Sequence, residues 1–288
     1  MMWKVKDVYY VSDSTAILTE EMGKSLLCQF PEINFNEEKI PFVRTVHDAK
    51  KALQHIRTQS SVLQPLVFCT IMDKEVRVVF DVAEVEVFDL YGGFLNGLEI
   101  ALEAKALREP GYFRHGDESQ IDQRVEAIHY TIEHDDGKNT SGYDAADIIL
   151  IGVSRSGKTP VSVYLATHMG YKVANFPLTA DHLSQYELPV DIVRNRRRTV
   201  GLTTSPGYLH KLREKRYPES QYAKLATCAN EVSQAEQLCL QHSIKTINTE
   251  GRSIEEISVQ TTQLLGLSKK RRKTAINDNR IHNNPRYI

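Results

Sequence analysis

The sequence predicts an α/β protein: an N-terminal α/β domain, then a C-terminal P-loop domain with a mainly parallel sheet flanked by helices. Three observations carry this. In the second half, apolar β-branched stretches alternate with helical patterns, the rhythm of βαβ units. Residues Gly152 to Thr159, GVSRSGKT, sit between one such stretch and a helical one, giving strand, glycine loop, helix. Gly137, Asn139, Ser141 and Gly142 form the most turn-rich stretch of the first half and mark the boundary. The expected division is 1–140, 141–268 and a basic, aperiodic tail over 269–288 that reads as disordered.

Taken in order, Val8-Tyr9-Tyr10-Val11 is an apolar strand and Ser12-Asp13-Ser14-Thr15 the polar turn after it. A helix runs on to about Leu27, with Ser14 or Thr15 placed to cap its first turn. Leu66 to Ile71 and Val76 to Phe80 read as further strands, and Asn96 to Leu107 as a helix. Ile121, Val125, Ile128 and Ile132 recur at helical spacing, so an amphipathic helix covers about Ser119 to Glu133 and ends at His134-Asp135-Asp136-Gly137.

In the second half Asp147 to Ile151 is a short strand of the kind buried on both faces, and Pro160 to Met169 a helix. Strands follow at Lys172 to Phe176, Thr199 to Thr203 and Ile244 to Asn248. A long helix covers about Ser220 to His242, with Tyr222, Leu225, Ala229, Val232 and Leu238 on its buried face. Ser253-Ile254-Glu255-Glu256 fits a capping box that opens a last helix carrying Ile257, Leu264 and Leu265. Ligands of such a sheet sit at the carboxyl ends of its strands.

The loop Gly152, Val153, Ser154, Arg155, Ser156, Gly157, Lys158, Thr159 satisfies the phosphate-loop pattern. Its backbone N–H groups and the positive helix end converge on one anionic group. Lys158 places an ammonium on the terminal phosphates, Thr159 a hydroxyl on bound magnesium, and an inward Arg155 adds charge. Four fixed positions also match ordinary turns by chance, and the flanking strand and helix argue against that. The loop names a phosphate, not a reaction.

At 288 residues the chain holds one large domain or two ordinary ones, and its apolar 41% and charged 25% are average for a soluble globular protein. The opening Met-Met-Trp-Lys shows no leader pattern, and no apolar run approaches the roughly 18 residues that span a bilayer. Cys28, Cys69, Cys228 and Cys239 lack metal spacing and read as reduced core thiols of a cytoplasmic protein. A formal net charge of −1 argues against bulk nucleic-acid binding. Basic residues cluster at Arg194 to Arg198, at Lys211 to Arg216 and at Lys269 to Lys273. A solvated face or tail is the usual explanation, although the first two, downstream of the loop, also suit phosphate or acidic-partner contacts.

These residues together resemble a known family along nearly the whole chain. YYVSDSTAILTEEMG, QFPEINF, IPFVRTV, PLVF, EAIHYTIEHDDG, GVSRSGKTPVSVYLA, ANFPL, GLTTSPGYLHKLREKR and SIEEI are similar to the bacterial phosphoenolpyruvate synthase regulatory proteins, relatives of the pyruvate, phosphate dikinase regulatory proteins. HDDG followed some fifteen residues later by the loop is far more specific than the loop alone. Ala16 departs from the family, standing where many relatives carry Gly, and the tail beyond Lys269 has no counterpart.

The resemblance implies a bifunctional enzyme acting on another protein, phosphoenolpyruvate synthase (pyruvate, water dikinase). It would transfer phosphate from ADP, not ATP, to a threonine beside the catalytic phosphohistidine, inactivating the synthase and leaving AMP. It would also remove that phosphate with inorganic phosphate, releasing pyrophosphate. One phosphate loop fits both directions, since both need charge neutralisation above all.

Asp135 and Asp136 are the candidates for general base or magnesium ligand, since adjacent carboxylates at a helix end can divide those roles. Capping alone is the plainer reading of composition, and the resemblance favours catalysis. Asp13 is a weaker candidate, and His134 and His129 would orient if they act at all. Two other classes share the loop: a P-loop kinase of a small molecule, which needs a lid and an enclosed acceptor pocket, and a nucleotide-sensing module without catalysis. The sequence fixes no oligomeric state, a homodimer included.

Overall fold

Continuous apolar runs that cannot leave either face in water become the central strands of two separate parallel sheets. The computed structural model describes residues 4–61, 64–110 and 118–267. The chain divides into two units, residues 1–116 and 117–288. The predicted disordered tail from Lys269 lies outside the described residues.

In the first unit the strands are β1 (Lys4–Ser12), β2 (Ile33–Ile40), β3 (Leu66–Thr70) and β4 (Glu86–Asp89), ordered β2-β1-β3-β4 and all parallel. The helices are α1 (Ile17–Leu27), α2 (Val46–Gln59), α3 (Lys74–Arg77) and α4 (Gly92–Ala101). Strand alternation splits β1 between two cores. Tyr9 and Val11 pack with Ala49, Leu53 and Ile56 of α2, while Val8 and Tyr10 pack with Leu27 of α1 and Phe68.

Three expectations fail here for local reasons. Ser14 and Thr15 do not cap α1: the N-cap is Ala16, held left-handed at φ 59° with no side-chain cap. Val76 to Phe80 is no strand despite its β-branched run, because the Asp73 carboxylate accepts from Glu75 N and Val76 N and winds the segment into α3 and a 3₁₀ turn at Val78–Phe80. The helix expected from Asn96 starts at Gly92, where Asp89 Oδ1 accepts Tyr91 N at 3.0 Å and Gly92 N at 2.8 Å.

The second unit holds helices α5 (Glu118–Glu133), α6 (Lys158–Met169), α7 (Ala180–Gln185), α8 (Val190–Arg194), α9 (Pro206–Glu214), α10 (Leu225–Gln241) and α11 (Ile254–Leu264). Its strands are β5 (Ile148–Gly152), β6 (Val173–Pro177), β7 (Thr199–Thr203) and β8 (Lys245–Asn248), ordered β6-β5-β7-β8 and all parallel. Ile149 and Ile151 face Leu238 and Cys239 of α10, and Ile148 and Leu150 face Val161 and Leu165 of α6. Ser253 forms the expected capping box of α11.

The boundary falls at 116/117 rather than 140/141, because α5 is stitched to β6. Val173 N donates to Thr131 Oγ1 and Asn175 N to His134 O, each at 3.0 Å. The long helix begins at Leu225, after a 3₁₀ turn at Gln221–Ala223, so Tyr222 precedes it and Leu225 is exposed. All four cysteines are free, and Cys28, expected in a core, is exposed. Among the described residues no helix is long and apolar enough to cross a membrane.

Candidate functional site

β5 passes through α6 to β6 on one side and has β7 on the other, so the chain reverses its strand order at the carboxyl end of β5. Open parallel sheets form clefts at such points. Gly152 ends β5 there, and a Cβ on it would stand 2.5 Å from Leu202 O of β7. Only glycine lets the loop leave the sheet this close to its neighbour. At the far end Gly157 takes φ 92° as the N-cap of α6, a conformation that side chains resist. Between them Ser154 and Arg155 are exposed, while Ser156 is buried and its Oγ meets no hydrogen-bond partner among the described residues.

Lys158 opens α6, only 6% exposed, and its Nζ donates to Val153 O at 3.0 Å. Burial lowers its pKa to about 8, with Asp136 and Asp135 acting to raise it and Arg213 to lower it further. A buried ammonium whose hydrogen bond goes to one neutral carbonyl is set to receive an anion.

The HDDG segment reaches the loop through β6. Asp135–Gly137 forms a 3₁₀ turn with Asp136 held left-handed at φ 56°. Asn175, buried in β6, organises it: Nδ2 donates to Asp135 Oδ1 and, at 3.0 Å, to Thr159 Oγ1, while Oδ1 accepts Asp136 N at 3.3 Å. Thr159 Oγ1 in turn donates to Asp135 Oδ1 at 3.2 Å. The Asp136 carboxylate accepts no hydrogen bond from the described residues. It borders, with Asp135, Arg155, Lys158, Thr159 and Arg216, an open cleft of about 420 Å³.

The structure therefore brings the loop, Asp135 and Asp136 to one cleft. Asp13 is not among these residues; it lies in the first unit at the end of β1, where its carboxylate accepts Met72 N at 2.8 Å and burial raises its pKa. His134 is structural, stacked 3.8 Å from Tyr130 with Nδ1 on Tyr130 O at 2.8 Å, and His129 is exposed. Of the basic clusters, Arg194 and Arg198 bind Asp144, the latter at its carbonyl, and Lys269 to Lys273 lie outside the described residues. The cluster at Lys211 to Arg216 divides: Arg213 is fully buried, whereas Arg216 is exposed on the cleft.

Sequence reasoning missed Asn175 and took Arg213 only as one member of a basic cluster. Arg213 carried a signal, since it lies four residues after Leu209, on the buried side of α9. Asn175 carried none beyond its place inside the ANFPL segment, as a polar residue in an apolar strand.

No group of three or more His, Cys, Asp or Glu among the described residues is set to hold a metal. One carboxylate and one hydroxyl, Asp135 and Thr159, instead suit magnesium, which keeps waters and substrate phosphates in its shell.

Comparison with known proteins identifies the family. A family model described as kinase/pyrophosphorylase matches residues 8–261. A relative from Desulfotalea psychrophila, provisionally named phosphoenolpyruvate synthase regulatory protein, is 43% identical over 92% of this chain and 97% of its own. Relatives of the same name from Laribacter hongkongensis, 40% identical over 92% of this chain and 98% of theirs, and from Alkalilimnicola ehrlichii, 40% over 88% and 94%, agree. With the model spanning most of the chain and identity sustained over nearly all of it, the chain belongs to the kinase/pyrophosphorylase family of phosphoenolpyruvate synthase regulatory proteins.

Proposed function

We propose that this chain phosphorylates a threonine of phosphoenolpyruvate synthase from ADP, and removes that phosphate with inorganic phosphate, both at the cleft of Lys158. The observation that carries the reading is the unequal pair beside the loop. Asp135 is committed to Thr159 and Asn175, while the Asp136 carboxylate faces the cleft with no hydrogen-bond donor among the described residues.

The residues fit the phosphates of ADP. Ser156 Oγ is buried without a partner among the described residues, Gly152 leaves room beside Leu202 O, and Lys158 supplies a buried cation. Asp135 and Thr159 would hold magnesium, which supplies charge neutralisation at the transferring phosphoryl group.

In the forward direction the threonine hydroxyl attacks the β-phosphorus, the P–O bond to AMP breaks, and Asp136 takes the hydroxyl proton. In the return direction inorganic phosphate attacks the phosphothreonine phosphorus and pyrophosphate leaves. The threonine oxygen regains a proton, which hydrogen phosphate itself carries in. Lys158 and the loop amides hold the phosphates in both. A small-molecule kinase shares the loop, but among the described residues the cleft is open and no enclosed acceptor pocket adjoins it, which favours a protein acceptor.

ADP radiolabelled at its β-phosphate, incubated with this chain and the synthase, should leave label on a synthase threonine and release AMP. Label that comes only from ATP, or that ends on a small molecule, contradicts the reading.

A further inference from the structure

Among the described residues Arg213 is the largest fully buried side chain, and nothing in the proposed chemistry uses it. Its guanidinium Nη2 donates to Glu231 Oε2 at 2.7 Å and to Ser154 O at 3.2 Å. Nη1 donates to Tyr222 O at 3.1 Å, and the guanidinium carbon stands 3.9 Å over the Tyr222 ring. Tyr222 Oη donates to Ser154 Oγ at 2.7 Å. Ser154 is thus gripped twice, at its carbonyl by Arg213 and at its hydroxyl by Tyr222. The next residue, Arg155, turns left-handed at φ 75°.

Stability alone gives no reason for this arrangement. A buried arginine with one carboxylate partner is commonly matched or bettered by an apolar side chain of similar volume. Arg213 Nε meets no hydrogen-bond partner among the described residues, a further desolvation penalty. What an apolar residue could not do is hold the Ser154 carbonyl. That carbonyl belongs to the Ser154–Arg155 peptide, so fixing it fixes the Arg155 N–H within the phosphate loop.

We propose that Arg213 is a positioning residue which, with Tyr222, holds the Ser154–Arg155 peptide of the loop ready for phosphate before substrate arrives. Glu231, reaching over from α10, and the Tyr222 carbonyl hold the guanidinium in place, so the grip runs from α9 and α10 into the loop. The planar fork makes this possible, since one head reaches Ser154, Tyr222 and Glu231 together, which a lysine ammonium does with poorer geometry. The inference rests on the reading that the loop binds the phosphates of ADP and of inorganic phosphate.

A loop fixed in advance lowers the cost of ordering it on binding. Loosening it therefore weakens both phosphate-bearing substrates and spares recognition of the synthase surface. A merely structural role predicts otherwise: less folded enzyme lowers kcat per total protein and leaves both KM values in place.

The test is steady-state kinetics and equilibrium dialysis with ADP and with inorganic phosphate on Tyr222→Phe, Arg213→Lys and unaltered protein. Tyr222→Phe keeps the ring under the guanidinium and loses only the hydroxyl on Ser154. It should raise KM for ADP and for phosphate about threefold to tenfold, the loss of one hydrogen bond, at unchanged Tm. Arg213→Lys should raise both further, by about tenfold or more, with the KM for synthase unmoved. If unaltered protein binds ADP and phosphate and both variants stay within about twofold of it, the positioning role is wrong while the phosphate-loop reading stands. If unaltered protein binds neither, the reading fails and the inference falls with it.

Discussion

Lys158→Met abolishes both phosphorylation and phosphorolysis and leaves the melting temperature unchanged or raised. Losing the buried cation of a phosphoryl-transfer site should lower kcat/KM by a factor on the order of 10² or more in each direction. Folding moves the other way. Burial holds the Lys158 pKa at about 8 in the folded chain, against about 10.4 in the unfolded one. Below about pH 8 the fold carries the whole penalty of that buried charge, on the order of 3 kcal/mol. Across about pH 8 to 10.4 the unfolded chain keeps a proton the folded chain has shed, so stability rises with pH.

Methionine removes the penalty and keeps the packing. Over the same window the unaltered protein loses the charge that phosphate needs, so its affinity for ADP should weaken by up to about tenfold per pH unit. Calorimetry of both proteins and ADP binding from pH 7 to pH 10 check this. Full activity in either direction for Lys158→Met contradicts a shared loop.

Asp136→Asn should slow phosphorylation by about 10² to 10⁴, the usual worth of a positioned general base. Phosphorolysis should suffer less, because hydrogen phosphate brings the proton that the departing threonine oxygen needs. Asp135→Asn should slow both directions, and added magnesium should partly restore both. The asymmetry follows from geometry: Asp135 is bound to Thr159 and Asn175, while the Asp136 carboxylate accepts nothing from the described residues. Rate constants for the two variants at low and high magnesium decide it. Near-wild-type rates for both would remove the pair from the mechanism.

Much of this was legible in the sequence, and the failures share a cause. β5, the loop, α6 and β7 were read nearly to the residue because they are short, buried and strongly patterned. β2, with the mixed sequence INFNEEKI, is a largely exposed edge strand and gave no apolar run to find. Val76 to Phe80 misled because a β-branched run was read without the Asp73 that caps it into a helix. The carboxylate pair was visible, but its unequal hydrogen bonding was not, since that depends on Asn175, forty residues from Asp135 in the chain. Arg213 was hidden inside a basic cluster, where composition suggests a solvated face.

The central claim is that one phosphate loop serves both ADP and inorganic phosphate, and competition tests it most directly. An ADP analogue whose bridging oxygen is replaced by methylene binds without transferring its phosphate. Pyrophosphate release from phosphorylated synthase should be measured against inorganic phosphate at several concentrations of this analogue. The account predicts inhibition competitive with phosphate, the apparent KM rising while kcat holds. Inhibition that lowers kcat at unchanged KM for phosphate would place the two at separate sites and contradict it.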